Sequence, residues 1–134
     1  MAAKMQVELV SPERVLASLE AEKVMLPGAG GDFTAMAGHV PIATALSPGV
    51  LRIVDGAEEH HYYIAGGFAE VSGTEVSVLA EFAAHRDEAT PEMFQSSLEA
   101  AEKNLEGLEK DELAEATRRF SNLKMMVETM GRAA

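Results

Sequence analysis

Near residue 83 the hydrophobic pattern of this chain changes period, from every second residue to every third or fourth, so a sheet-forming half precedes a helix-forming half. Met5, Val7 and Leu9 alternate with Gln6 and Glu8 until Ser11-Pro12 stops the run, as a strand with one buried face requires. Residues 50–54 and 60–65 flank Asp55-Gly56, a pair suited to the positive backbone angles of a tight hairpin turn. Val76, Val78 and Ala80 alternate after Ser72-Gly73, which predicts another hairpin whose first strand includes Phe68 and Val71. Many short strands this close together predict a β-sandwich or barrel.

Thr90-Pro91-Glu92 reads as a helix start. Thr90 can accept from an unpaired amide, Pro91 has no amide to leave unpaired, and Glu92 complements the helix dipole. One apolar seam runs through Phe94, Leu98, Ala101, Leu105 and Leu108, and a second through Leu113, Ala116, Phe120, Leu123, Val127 and Met130. Gly107 and the charged Glu109-Lys110-Asp111-Glu112 stretch separate them, so the two helices fold back antiparallel. Short helices are marginal alone in water, and this hairpin must pack on itself or on something else. The fold class is therefore α+β: a sandwich over residues 1–86 and a helical hairpin over 87–134. Acids outnumber bases from Glu92 to Glu115, and bases outnumber acids from Arg118 to Arg132.

The length of 134 residues admits one ordinary domain, or a small domain with an appendage. With 47% hydrophobic and 25% charged residues the chain has the balance of a globular protein. A net charge of -11 opposes binding to phosphate backbones, so no nucleic-acid partner is expected. No apolar run approaches the roughly 20 residues that span a bilayer, which argues against direct membrane insertion. Residues 1–6 lack a secretory core and are not Arg-rich, so a chain that is cytosolic or attached through partners is expected. The absence of cysteine removes disulfides, thiol nucleophiles and thiolate zinc sites.

No constellation points to catalysis, a cofactor or a metal. The glycine-rich stretch over residues 26–33 lacks the Gly-Lys-Ser/Thr ending of a nucleotide loop and reads as a turn. His60 and His61 are adjacent and point to opposite faces of a strand, which does not favour convergence on a metal with His39 or His85. Glu58-Glu59 and Asp87-Glu88 read as solvated charge in polar connections. Ser47-Pro48-Gly49 and Gly66-Gly67 read as turn or bulge positions, and no Gly-x-Ser-x-Gly elbow occurs. Met125, Met126 and Met130 fit either ordinary helix packing or an adaptable partner surface. A separable helical hairpin favours an interaction role over an enzyme.

Several stretches, in order, resemble the bacterial ATP synthase epsilon family across nearly the whole chain. They are residues 7–13 (VELVSPE), Leu26-Pro27-Gly28 with Gly31-Asp32, residues 50–53, 63–71 and 76–80. The most specific is residues 38–49, GHVPIATALSPG, against the family's GHAPLLTALKPG. The resemblance implies a ten-stranded β-sandwich followed by an α-helical hairpin. It also implies a non-catalytic rotor subunit at the cytoplasmic face of the bacterial inner membrane. There the sandwich binds the gamma subunit and sits on the c-subunit ring, coupling proton-driven rotation to ATP synthesis in other chains.

By the same resemblance, Asp32, where the family often has Glu, and His39 are candidates for contact with the c ring. Arg118, Arg119 and Lys124 are candidates for contact with acidic segments of the alpha and beta subunits when the hairpin extends to restrain ATP hydrolysis. One motif departs: the family's Ile/Leu-Asp-x-x-Arg-Ala, which binds regulatory ATP, falls on Ala89, Thr90, Met93 and Phe94. Its acidic and basic members are both missing, so ATP sensing is not implied. The hairpin is then structural, or its regulation is weak or assigned elsewhere. The competing reading is a stand-alone regulatory module whose hairpin closes over a small ligand.

Overall fold

The alternation of Met5, Val7 and Leu9 becomes strand β1 (Met5–Val10), which buries all three side chains completely and leaves Glu8 exposed. This was established in a computed structural model that describes residues 3–133. Met1, Ala2, Ala134 and the side chain of Arg132 lie outside the described residues, so the expectation for the extreme amino terminus and the last base of the basic run are not addressed. The remaining strands are β2 (Val15–Ala21), β3 (Lys23–Leu26), β4 (Phe33–Met36), β5 (Ile42–Leu46), β6 (Gly49–Asp55), β7 (Glu58–Ile64), β8 (Gly67–Val71), β9 (Glu75–Ala80) and β10 (Ala83–His85).

The ten strands form two five-stranded sheets, in the orders β2-β1-β9-β8-β5 and β10-β7-β6-β3-β4. Their inner faces supply the core, with Val7, Leu9, Leu51, Ile53, Ile64, Val76 and Val78 at 1% exposure or less. Each such side chain contributes roughly 1.5–3 kcal/mol by leaving water, which is why strict alternation marks these strands in the sequence. The pairing of β1 with β9 is parallel, and the other strand pairs are antiparallel.

The β6–β7 hairpin is present, with its turn one residue later than expected. Asp55 pairs with Glu58 as the end of the ladder, and the two-residue loop is Gly56-Ala57. Gly56 has φ 64, the sign that the first central position of a type II′ turn demands.

Thr90 caps the helical half, its Oγ1 accepting the Met93 N–H at 3.4 Å. The first turn, Pro91–Phe94, is 3-10 and runs into α1 (Gln95–Lys103); α2 is Lys110–Ala133. Helix α1 is shorter than its apolar seam. Leu105 and Leu108 lie beyond it, because Leu105 N–H and Glu106 N–H bond to the carbonyls of Glu102 and Lys103, three residues back, and Gly107 at φ 79 reverses the chain. The link is therefore residues 104–109, and Lys110, Asp111 and Glu112 belong to the first turn of α2. Leu113, placed on the second seam by spacing, is 36% exposed at this loop end of the hairpin.

The hairpin packs against the sandwich as well as on itself. Phe94, Leu123, Met126 and Met130 share a second core with Ala65 and Ala84, the last from β10, with Phe82, Leu98 and Ala101 packed around it. Phe94 is fully buried, and its ring meets Phe82 edge-on at 4.9 Å. Met126 and Met130 are thus packing residues, whereas Met125 is 66% exposed.

Candidate functional site

Polar groups outside the two cores are arranged as surface pairs. On the outer face of β6 and β7, Arg52 Nη2 donates to Glu59 Oε1 at 2.8 Å. His61 Nε2 donates to the same oxygen at 3.0 Å, and His61 Nδ1 accepts from Arg86 Nη1 at 3.0 Å. The hydrogen bond from Arg52, then that from His61, pulls the Glu59 carboxyl down to about 2. Burial, with a smaller contribution from Glu88, raises the Tyr62 hydroxyl. Among the described residues no group of three or more His, Cys, Asp or Glu side chains is placed to hold a metal ion.

The glycine-rich loop is tied into the sandwich by backbone bonds. Gly28 bridges to Leu46, Ala29 N–H donates to Ala45, and Gly31 N–H returns to Gly28. Asp32 follows this loop and is exposed. His39 lies beyond β4, where its Nδ1–H donates to the Val40 carbonyl at 2.6 Å and leaves Nε2 free to accept. The His39 ring stands 6.2 Å from that of Phe33, the residue next to Asp32, so the two candidates bracket one short strand. Met36, Val40 and Ile42 are exposed on the same stretch, at 54%, 74% and 42%.

The basic candidates on α2 part company. Arg119 turns to the sandwich and pairs with Glu81 at 2.8 Å. Arg118 lines a surface groove with Asn122 and Arg52, and Lys124 is exposed. At the positions of the ATP-binding motif, Thr90 is a cap, Met93 is 45% exposed, and Phe94 fills the hairpin core. No carboxylate or guanidinium stands at those positions.

A feature that spacing alone did not single out crosses the outer face of the first sheet. The register places Ala45 opposite Phe68, Phe68 opposite Leu79, Leu79 opposite Val10 and Val10 opposite Val15. One apolar row thus spans five strands, with Phe68 44%, Leu79 53% and Val15 62% exposed. The next row is Glu70, Ser77, Glu8 and Ser18, so an acidic and polar rim borders it. An exposed contiguous apolar patch with a polar border is the anatomy of a protein-binding surface. The available signal was phase: Leu79 falls on the outward beat of Val76, Val78 and Ala80.

The family model for the beta-sandwich domain of the ATP synthase delta/epsilon chain matches residues 4–86. The chain is similar to the ATP synthase epsilon chain of Fuscovulum blasticum, with 46% identity over 98% of this chain and 99% of that one. It is also similar to the epsilon chain of Rhodobacter capsulatus, with 50% identity over 77% of this chain and 78% of the relative. Among solved structures, a chain of the Euglena gracilis mitochondrial ATP synthase (OSCP/F1/c-ring) has a TM-score of 0.66 at 21% identity, covering 95% of this chain and 83% of that chain. A chain of the Tetrahymena thermophila mitochondrial ATP synthase central stalk and c-ring has 0.60 at 17%, covering 98% and 97%. These two likenesses are of fold.

Proposed function

The chain belongs to the ATP synthase delta/epsilon chain family, and on that premise we propose that it is a non-catalytic central-stalk subunit that couples rotation of the c ring to ATP synthesis in other subunits. The observation that carries this reading is the apolar row across five strands, which is the docking surface for the gamma subunit. Its acidic rim, with Glu8 and Glu70, favours a partner that brings basic residues to the edge of the contact.

The loop end around Asp32 and His39 is the contact with the c ring. There the carboxylate and the free His39 Nε2 meet polar loops while Met36 and Val40 exclude water. Association with the membrane is then peripheral, through the ring, at the cytoplasmic face; no helix among the described residues is long and apolar enough to cross a bilayer. Residues 1–86 act as the coupling module. Residues 87–134 restrain ATP hydrolysis when they leave the sandwich, with Arg118, Arg119 and Lys124 meeting acidic segments of the alpha and beta subunits.

The test is co-elution of the full-length chain with purified gamma subunit, compared with a Leu79→Glu variant. Tight co-elution of the first and loss by the second supports the reading. A full-length chain that does not bind gamma overturns it. In the membrane-bound complex, deletion of the subunit uncouples proton flow from synthesis, and retained coupling counts against the role.

A further inference from the structure

Three of the four histidines gather where β7 meets the short edge strand β10, and two of them turn a ring nitrogen to a donor that cannot change roles. His61 Nδ1 accepts from Arg86 Nη1 at 3.0 Å, and His85 Nδ1 accepts from the Asp87 backbone N–H at 3.1 Å. A guanidinium and an amide N–H only donate, so each imidazole is neutral with its proton on Nε2. On His61 that proton goes to Glu59 Oε1 at 3.0 Å. The third ring, His60, stands edge-on to His85 with centroids 6.3 Å apart, and the Tyr62 ring meets His85 at 5.1 Å. Residues 86 and 87, pinned by the two bonds, lead from the last strand to the Thr90 cap of the helical half.

We infer that the β7–β10 joint is a pH-sensitive clasp: a second proton on His61 or His85 takes the lone pair that holds residue 86 or 87 and loosens the edge strand. Imidazole is the side chain whose charge ordinarily changes between about pH 5 and pH 8. Several groups act on that proton. Arg52 and Arg86 oppose it at His61, and charged His60 and His85 repel each other. Glu59 favours it at His61, Glu58 lies 3.9 Å from His60, Asp87 Oδ2 lies 3.7 Å from His85, and Glu88 acts on Tyr62 nearby. Glu58 and Asp87 are 79% and 75% exposed, so water and salt screen them. Glu59 is already paired with Arg52 at 2.8 Å. His61 is only 20% exposed, so the bond it gives up is the better shielded one, and loosening outweighs the new attraction. The clasp lies on the second sheet, away from the apolar row on the first, so it goes beyond the docking of gamma and does not depend on it.

Amide exchange in the full-length isolated chain reads the clasp at the Arg86 N–H, which donates to the His61 carbonyl at 2.8 Å. Corrected for intrinsic exchange, its opening constant should rise about two- to ten-fold from about pH 8 to pH 5, the loss of one hydrogen bond. The Glu81 N–H, bonded to the Gly66 carbonyl, should not follow it. His61→Gln can accept from Arg86 and donate to Glu59 without titrating, so it should reduce the rise, and His61→Gln with His85→Gln should abolish it. Nitrogen NMR of the rings should show His61 and His85 as Nε2–H at the upper pH. An opening constant that ignores pH overturns the clasp, as does full pH dependence in the double variant or an Nδ1–H tautomer at both rings.

Discussion

Phe68 and Leu79 face each other on neighbouring antiparallel strands, both on the outer side of the sheet and both about half exposed. Such a cross-strand apolar pair adds roughly 0.2–1 kcal/mol to the sheet by itself, and its exposure suits a surface that a partner covers. Leu79→Glu is expected to weaken gamma binding at least tenfold, the loss typical of an interface anchor. Its effect on folding stability should stay small, about 1 kcal/mol or less. Titration of gamma by calorimetry beside a thermal melt separates the two.

Phe94 is the wedge between hairpin and sandwich, closed against Phe82 and reached by Met130. Phe94→Ala removes a fully buried ring and should cost roughly 3–5 kcal/mol of docking. Far-ultraviolet circular dichroism should lose helix while the strand signal and the cooperative melt of the sandwich persist, because Phe94 is not part of the inter-sheet core.

On the outer face, Arg52 and His61 hold the Glu59 carboxyl below the ordinary carboxylate range. Its folded pKa of about 2 lies below the ordinary carboxylate value near 4.5. A depressed pKa contributes stability that is fully present above the unfolded value and is lost as pH falls through the folded one. The window is therefore between about 4.5 and 2. Wild type should lose more stability across it than Glu59→Gln, in parallel denaturant titrations at several pH values. Equal acid limbs in the two proteins would remove Glu59 from the account.

Lys110 enters α2 with φ 55, a left-handed conformation that costs a side-chain-bearing residue roughly 1–2 kcal/mol. It also puts a cation at the positive end of a helix dipole. Lys110→Gly relieves both and should stabilise the hairpin by about 1 kcal/mol, seen as slower amide exchange in the first turns of α2.

The two halves of the fold were legible because burial imposes its period directly on the sequence, as Val76, Val78 and Ala80 do in β9. What was illegible depended on the backbone or on distant pairing. Asp55-Gly56 looked like the turn, yet a one-residue shift puts Asp55 in the ladder. Leu105 and Leu108 kept the phase of a helix that had already ended, since periodicity cannot register the reversal at Gly107. Asp32 and His39 were found through resemblance, and their shared neighbourhood follows from the short strand between them. The apolar row could not be read in advance, because it needs four registers at once. Nor could the partnership of Arg119 with Glu81, whose positions are far apart in the chain.

The parallel pairing of β1 with β9 sets an order of assembly. Gln6 waits for Glu75, roughly seventy residues later, before its strand gains its second neighbour. A ribosome must release most of the sandwich before the first sheet can close, and contacts this distant make for slow folding. The hairpin emerges last, onto a surface that includes Ala84 of the final strand. The sandwich is thus complete, in the order in which its chain appears, before the helices that rest on it have emerged.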